Sequence, residues 1–477
     1  MRINFRIRWL IFIFSALFIL FGLLVLFSTS AEGGADNYAH FRLARYAFKY
    51  PKLFLDHWGK PIFTILSSPF AQFGFKGFQF FNVIAGLLSA FFAYLTVRKL
   101  EFNNAWLVII FTCFAPIYFI IMLSGLTEIL FSLILMCSIY LFFDKRFIAS
   151  SIIVSLIIFS RTEGFMFLIL FLAGFIIEKR YKAIPFLLTG FVFFSILGYF
   201  VLDDFWWFIN QNPYTGAKNI YGSGELNHFI KNIKKINGIP LAILAGFGII
   251  SIGIDLTKKS RRTRLLKLEI IIILVGFLIY LAAHSIAWWL GIGGSLGLIR
   301  VMAAVIPLAA ILSLRGYNLI YDWFKFNQFV QLGLKIVVLI IVIKVPYDIY
   351  SLPVKQDGRE KALTEAAVWV KQNNLTTQKI YYYDLYFIHQ LDINPFDQNA
   401  CFEKVPENLN PGINMPVGSI LQWDAHFGPN EGQLPLETLI NNPRFKVLNV
   451  IKPDEPFKVL NGYNYEIYIF QRTDYNQ

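Results

Sequence analysis

The feature that most constrains this chain is a succession of apolar runs, many close to twenty residues long, separated by short gaps. The runs cover 9–28, 78–97, 105–122, 129–143, 147–160, 165–177, 183–202, 238–256, 270–290, 301–314 and 334–350. About 20 apolar residues in a helix cross the ~30 Å of a bilayer's hydrocarbon. Inside lipid each segment must pair its own backbone N–H and C=O groups, so such runs fold as helices. Composition agrees: only 15% of the 477 residues are charged and 56% are hydrophobic, whereas a soluble domain carries about 25% charged residues. The chain is expected to be a polytopic α-helical membrane protein with about eleven transmembrane helices.

The net charge of +13 does not indicate nucleic acid. Its basic residues gather in the gaps, as in Arg98-Lys99, Lys145-Arg146, Lys179-Arg180 and the cluster Lys258, Lys259, Arg261, Arg262, Arg264 and Lys267. That placement follows the positive-inside rule. A nucleic-acid surface would collect them on a soluble domain, and the soluble tail is mixed in sign. Arg2, Arg6 and Arg8 precede the first run, which is longer than a signal-peptide core and lacks a good cleavage site after it. It is read as a retained helix with a cytoplasmic N-terminus. Eleven crossings then place every strong basic cluster on the cytoplasmic side. They place the loop 29–77, Glu128, Arg161, Glu163, the loop 203–237 and the tail on the other side. Trp206, Trp207, Tyr214 and Tyr221 in the loop 203–237 suit an interfacial belt. Three cysteines, Cys113, Cys137 and Cys401, form no disulfide framework or zinc spacing and are read as packing residues.

From about residue 352 the composition becomes that of a soluble domain. Strands are expected over 379–383, 419–423, 445–451 and 465–471, with helices over 359–372 and 435–441. Alternating helices and strands suggest a small α/β domain. The expected organisation is thus a membrane domain over 1–351 and an extracytoplasmic domain over 352–477.

The loop after the first run carries an unusual density of polar groups: Glu32, Asp36, His40, His57, Trp58 and Lys60. Charges beside lipid are costly and usually functional. Glu32, Asp36 and His40 are spaced by four and would share a face if the loop begins as a helix. A carboxylate there can serve as general base toward a hydroxyl, while Asp36 with a neighbour can instead bind a divalent cation through oxygen ligands. The simpler alternative is an acidic cap on an interfacial helix. Lys60 can pair with a phosphate as a point charge or merely snorkel to the headgroups. Trp58 can hold a sugar face or anchor the loop. Arg161 and Glu163, in the turn between two runs, are either a structural clasp or part of a polar site. Arg300 opens the tenth run beside the Gly-rich 291–297 and can meet an anionic headgroup. His284 reads as a packed or hydrogen-bonded helix residue, not a ligand. In the tail, Asp424 and His426 lie at a strand end, a weak pattern.

In this order the motifs resemble the GT-C superfamily of integral membrane glycosyltransferases, and within it the bacterial branch similar to protein O-mannosyltransferases and the lipid A aminoarabinose transferase. They are an acidic first loop, Lys60-Pro61 before the second helix, Thr127-Glu128 before the fourth, Arg161-Thr-Glu163-Gly164, and Arg300 opening a helix with Pro307. The resemblance covers about 9–315. It implies a polyprenyl-phosphate-linked sugar donor, an acceptor that is lipid- or protein-linked, and inverting transfer on the non-cytoplasmic face of the bacterial cytoplasmic membrane. Asp36 matches the family's first-loop catalytic acid, and Lys60 the lysine that approaches the donor phosphate, with Arg161 or Arg300 beside it. Glu32, His40, His57, Trp58, Glu128 and Glu163 would support the site. The family's Asp-Glu pair reads Asp36-Asn37 here, which weakens a metal role. A transporter or flippase of a lipid-linked glycan is the alternative, but transporters place polar groups at mid-membrane on broken helices, whereas these charges gather at one face.

Overall fold

The computed structural model describes residues 2–213, 222–325 and 327–474, with side chains from residue 7 onward. Tyr214 and Tyr221, assigned above to an interfacial belt, and the side chains of Arg2 and Arg6 lie outside the described residues. The chain divides into two compact units, Met1–Ser28 with Leu43–Val354, and Thr29–Arg42 with Lys355–Gln477.

The first unit is helical. Among the described residues seven helices are long and apolar enough to cross a membrane: Ile7–Phe27, Gly74–Lys99, Tyr181–Leu202, Ile239–Thr257, Arg264–Leu290, Ile299–Trp323 and Gln328–Ile349. The helices Pro61–Ala71, Thr127–Phe143, Phe147–Phe159 and Thr162–Ile177 are apolar but shorter. The expectation of eleven comparable runs therefore needs adjustment. The run 105–122 is broken into Leu107–Cys113 and Pro116–Ile121, because Pro116 lacks an amide hydrogen and drives Ala115 to an extended ψ of 125°. The loop after the first run contributes a helix of its own, Pro61–Ala71, that apolar run length did not reveal.

Burial separates the inner helices from the rim. The most apolar window of Ile299–Trp323 is 83% buried and that of Gly74–Lys99 67%, against 11% for Gln328–Ile349. The inner helix Ile299–Trp323 and the more exposed Ile239–Thr257 approach backbone to backbone: a Cβ on Gly316 would lie 1.9 Å from the Leu244 carbonyl oxygen, and one on Gly248 2.0 Å from that of Leu312. Small residues at crossings are how membrane helices gain packing contacts without a hydrophobic driving force. Ser313 Oγ donates to the Leu241 carbonyl at 2.9 Å across the same contact. At the end of this pair Arg315 is clasped by Glu269 (2.6 Å) and by Asp255. The belt reading fails for Trp207 in the 203–237 loop. Trp206 is exposed, but Trp207 is fully buried and donates from Nε1 to the Phe194 carbonyl at 2.9 Å.

The second unit is built on a five-stranded sheet of order β2-β1-β3-β5-β4. Strand β1 is Ile380–Tyr382, β2 Cys401–Glu403, β3 Ile420–Asp424, β4 Phe445–Ile451 and β5 Ile467–Arg472. β1 runs parallel to β2 and β3, and β5 runs antiparallel to β3 and β4. The pair β3–β5 is in register from Ile420↔Gln471 to Asp424↔Ile467. Tyr381, Leu421, Trp423, Phe445 and Phe470 form its core. The helix Gly358–Gln372 opens with a capping box: the Glu360 amide donates to Asp357 Oδ1 at 2.8 Å, and the Asp357 amide to Glu360 Oε2 at 3.4 Å. The four expected strands and two expected helices are present; the three-residue β2 and the helix Leu385–Leu391 are additions.

Candidate functional site

In the first unit the segment 56–60 forms a tight turn ahead of the helix Pro61–Ala71. The Gly59 amide donates to Asp56 Oδ1 at 2.6 Å, and Thr64 Oγ1 to the Gly59 carbonyl at 3.0 Å. Lys60 closes the turn at φ 61° and ψ 100°, a conformation that costs a residue with a Cβ about 1–3 kcal/mol and that tends to persist at functional sites. The residue is 7% exposed, and its ammonium donates to the His57 carbonyl at 3.2 Å. Burial pushes its pKa down to about 8; the Glu163 carboxylate opposes that shift and the Arg161 guanidinium adds to it. His57 stacks on the Phe208 ring at 4.6 Å and contacts the Phe208 carbonyl through Nε2 at 3.0 Å, so its role is to hold the turn. Trp58, next to it, is half-buried.

Glu128 enters from the broken segment between Pro116–Ile121 and Thr127–Phe143. That break is held by the fully buried Gln79 and Asn82, whose side-chain amides donate to the Leu123 carbonyl at 2.6 Å and the Leu126 carbonyl at 2.9 Å. Gly125, at φ 85°, makes the bend. Glu128 then lies in the first turn of a helix, 2% exposed, with Oε1 2.8 Å from Arg161 Nη1 and 3.7 Å from Arg300 Nε. Arg161 has an extended backbone between two short 3₁₀ turns. Its Nη2 donates to Glu163 Oε1 at 2.8 Å and its Nη1 to Thr127 Oγ1 at 3.1 Å. His284 Nε2 lies 3.6 Å from the same Glu163 oxygen, and the rings of Tyr280 and His284 are 4.6 Å apart.

Lys60, Glu128, Arg161, Glu163 and Arg300, five residues singled out from sequence, are thus drawn into one cluster. Three of these five are basic and two acidic, and the Asp56 carboxylate also acts on Lys60 from the turn. Glu128 Oε2 and Arg161 Nε are buried there with no hydrogen-bond partner among the described residues; such atoms normally find one. A polar anionic group would supply an acceptor for the guanidinium. A divalent cation fits this cluster poorly, because both carboxylates are taken up by guanidinium groups, and among the described residues no three His, Cys, Asp or Glu side chains are grouped as metal ligands. Tyr280 was missed from sequence, and His284 was read as a packed or hydrogen-bonded helix residue and not as part of the site. Their i, i+4 spacing inside an apolar run was the available signal.

Asp36 lies in the second unit, in the first turn of the helix Ala35–Tyr46. Glu32 does not share its face, a correction to the spacing argument: the helix starts only at Ala35, after a Gly33-Gly34 turn with positive φ at both glycines. Asp36 and His40 remain one turn apart, Asp36 half-buried and His40 buried. Asn37, fully buried, donates from Nδ2 to the carbonyls of Glu32 at 2.9 Å and Ala31 at 3.3 Å. It ties the helix start to the preceding turn. In the tail, Asp424 has a structural task. Its Oδ1 accepts from the His426 and Phe427 amides at 3.0 and 2.8 Å, and its Oδ2 from Gln422 Nε2 at 3.1 Å. Burial, then the neighbouring Asp384 carboxylate, raises its pKa.

The first unit, with its long apolar helices, broken segments and buried charge cluster, has the architecture of a polytopic membrane protein. Solved structures carry the same fold. The crystal structure of ArnT from Cupriavidus metallidurans in the apo state matches over 97% of this chain and 98% of that chain, with a TM-score of 0.58 and 11% identity. The same protein bound to undecaprenyl phosphate matches over 96% and 97%, with a TM-score of 0.57 and 10% identity. No family model matches the sequence, and no curated protein does.

Proposed function

We propose that this chain is a membrane glycosyltransferase that moves a sugar from a polyprenyl-phosphate-linked donor to an acceptor hydroxyl on the non-cytoplasmic face. The observation that carries the reading is the gathering of three cationic side chains, Lys60, Arg161 and Arg300, with the buried carboxylates of Glu128 and Glu163. The fold shared with a protein whose structure holds undecaprenyl phosphate supports it. A sugar on a lipid phosphate already has a good leaving group, so the protein must orient the acceptor, take its proton and stabilise the departing phosphate. In the proposed step the acceptor oxygen bonds to the anomeric carbon from the face opposite the phosphate, with inversion. The bond from that carbon to the phosphate oxygen breaks, and the lipid phosphate leaves with the electron pair. Asp36 receives the acceptor proton, while Lys60, Arg161 and Arg300 neutralise the leaving phosphate. The tail is assigned to the same non-cytoplasmic side.

The test is Asp36→Asn in membranes supplied with a panel of undecaprenyl-phosphate-linked hexoses and pentoses. Loss of a positioned base costs about 10²–10⁴-fold in rate. Transfer at the wild-type rate by well-inserted protein removes Asp36 from the mechanism.

A further inference from the structure

The segment that carries Asp36 follows the first transmembrane helix in sequence, yet it packs as part of the C-terminal unit: residues Thr29–Arg42 and Lys355–Gln477 form one compact body. We infer that the C-terminal domain is a positioning platform for Asp36, acting through Tyr38 and Arg42; the inference rests on the reading of Asp36 as the base.

The contacts run along the whole segment. The Gln356 amide donates to Thr29 Oγ1 at 3.4 Å, and Ser30 hydrogen-bonds the Glu360 side chain. Tyr38, 3% exposed, donates to Glu360 Oε1 at 3.5 Å. Its ring meets Tyr386 edge to face at 4.8 Å and the His389 ring at 5.0 Å. Phe41 contacts His389 edge to face at 5.5 Å. Arg42 Nη1 pairs with Glu403 Oε2 at 2.7 Å and donates to Tyr382 Oη at 3.3 Å.

Tyr38, Phe41 and Arg42 follow the i, i+3, i+4 spacing of one helix face. Asp36, two positions before Tyr38, is rotated by about 200° at 3.6 residues per turn. The face bound to the domain therefore fixes the rotation of the helix about its axis, and that rotation fixes the direction of the Asp36 carboxylate on the other side. The buried ring contacts supply adhesion. The charge pair, at 23% and 42% side-chain exposure, is too wet to add much energy and serves register. A group misplaced by about 1 Å can lose about 10²-fold in rate, so such an attachment has catalytic consequence without touching substrate.

The test uses the full-length protein in lipid nanodiscs and the variants Tyr38→Leu, Arg42→Glu, Glu403→Arg and the double charge swap. Three quantities are read: sugar transfer from the undecaprenyl-phosphate-linked panel, affinity for undecaprenyl phosphate, and hydrogen exchange of residues 35–42. Tyr38→Leu is expected to lower kcat about 10–100-fold, leave undecaprenyl phosphate affinity within about twofold, and speed exchange in 35–42. The swapped pair is expected to recover most of what Arg42→Glu loses. Unchanged exchange in Tyr38→Leu, faster exchange at full kcat, or a loss of phosphate affinity as large as the loss of kcat would each overturn the inference. The two readings fail separately: an active Asp36→Asn sinks the base assignment, while exchange at 35–42 still judges the docking.

Discussion

At the scale of single residues, Lys60 concentrates the argument. It is buried, it closes a turn at a positive φ, and its pKa is lowered to about 8 by burial. A lysine so placed is a cation below about pH 8 and neutral above, so affinity for undecaprenyl phosphate should fall as pH rises through that value. Lys60→Ala should raise donor KM about tenfold or more with a smaller effect on kcat, and should flatten the pH dependence near 8, as read from titrations between pH 7 and 9.5. A lysine that only reached for headgroups would show neither. Lys60, Arg161, Glu163 and Arg300 were legible in the sequence because charges are rare beside apolar runs and each one asks for a reason. Glu32 was over-read, since spacing by four means nothing before a helix has begun. Tyr280 was passed over, and His284 was left to packing or a helix hydrogen bond, because aromatic and imidazole groups in an apolar run look structural.

At the scale of elements, the broken segment at 122–126 matters most. Gln79 and Asn82 satisfy carbonyls that a continuous helix would have paired internally, and this keeps Glu128 at the arginines. Replacing Asn82 with Leu keeps the volume but orphans the Leu126 carbonyl, a cost of about 1–3 kcal/mol. The expected result is a several-fold loss of undecaprenyl phosphate affinity together with a lower melting temperature. A drop in melting temperature with unchanged affinity would show that the break supports packing alone. The sequence displayed the polar gap Ser124-Gly125-Leu126-Thr127-Glu128 but not who would satisfy its backbone, because Gln79 and Asn82 sit inside what reads as an ordinary apolar run. In the second unit the strands announced themselves through their apolar residues and flanking turn residues. The three-residue β2 has too few residues to show a period and owes its place to pairing with β1.

At the scale of the whole molecule, the membrane class was readable from run length and charge placement, since both are imposed by the bilayer. What run length did not show is which helices are inner. Nor did it show the close crossing of Ile239–Thr257 with Ile306–Trp323, which makes a sharp prediction. A Cβ at Gly316 or Gly248 would strike backbone, whereas one at Gly246 or Gly253 on the same outer helix meets nothing within 4 Å. Gly316→Ala should destabilise by about 1–3 kcal/mol through overpacking, while Gly246→Ala and Gly253→Ala should be neutral or slightly stabilising in a helix. Thermal unfolding in detergent checks this; equal shifts at all three positions would remove the close crossing as a determinant of stability. The pairing of residues 29–42 with the tail was not legible either, because nothing local in a sequence encodes a contact between residues hundreds apart.

That distance has a consequence in time. Tyr38 and Glu360 are 322 positions apart, and Arg42 and Glu403 361. At about 5–20 residues per second of synthesis, the segment bearing Asp36 leaves the ribosome roughly a quarter of a minute to a minute before the domain that receives it. Every ribosome making this chain therefore produces the bundle first and the seat for residues 29–42 last. A prematurely terminated product lacks that seat altogether.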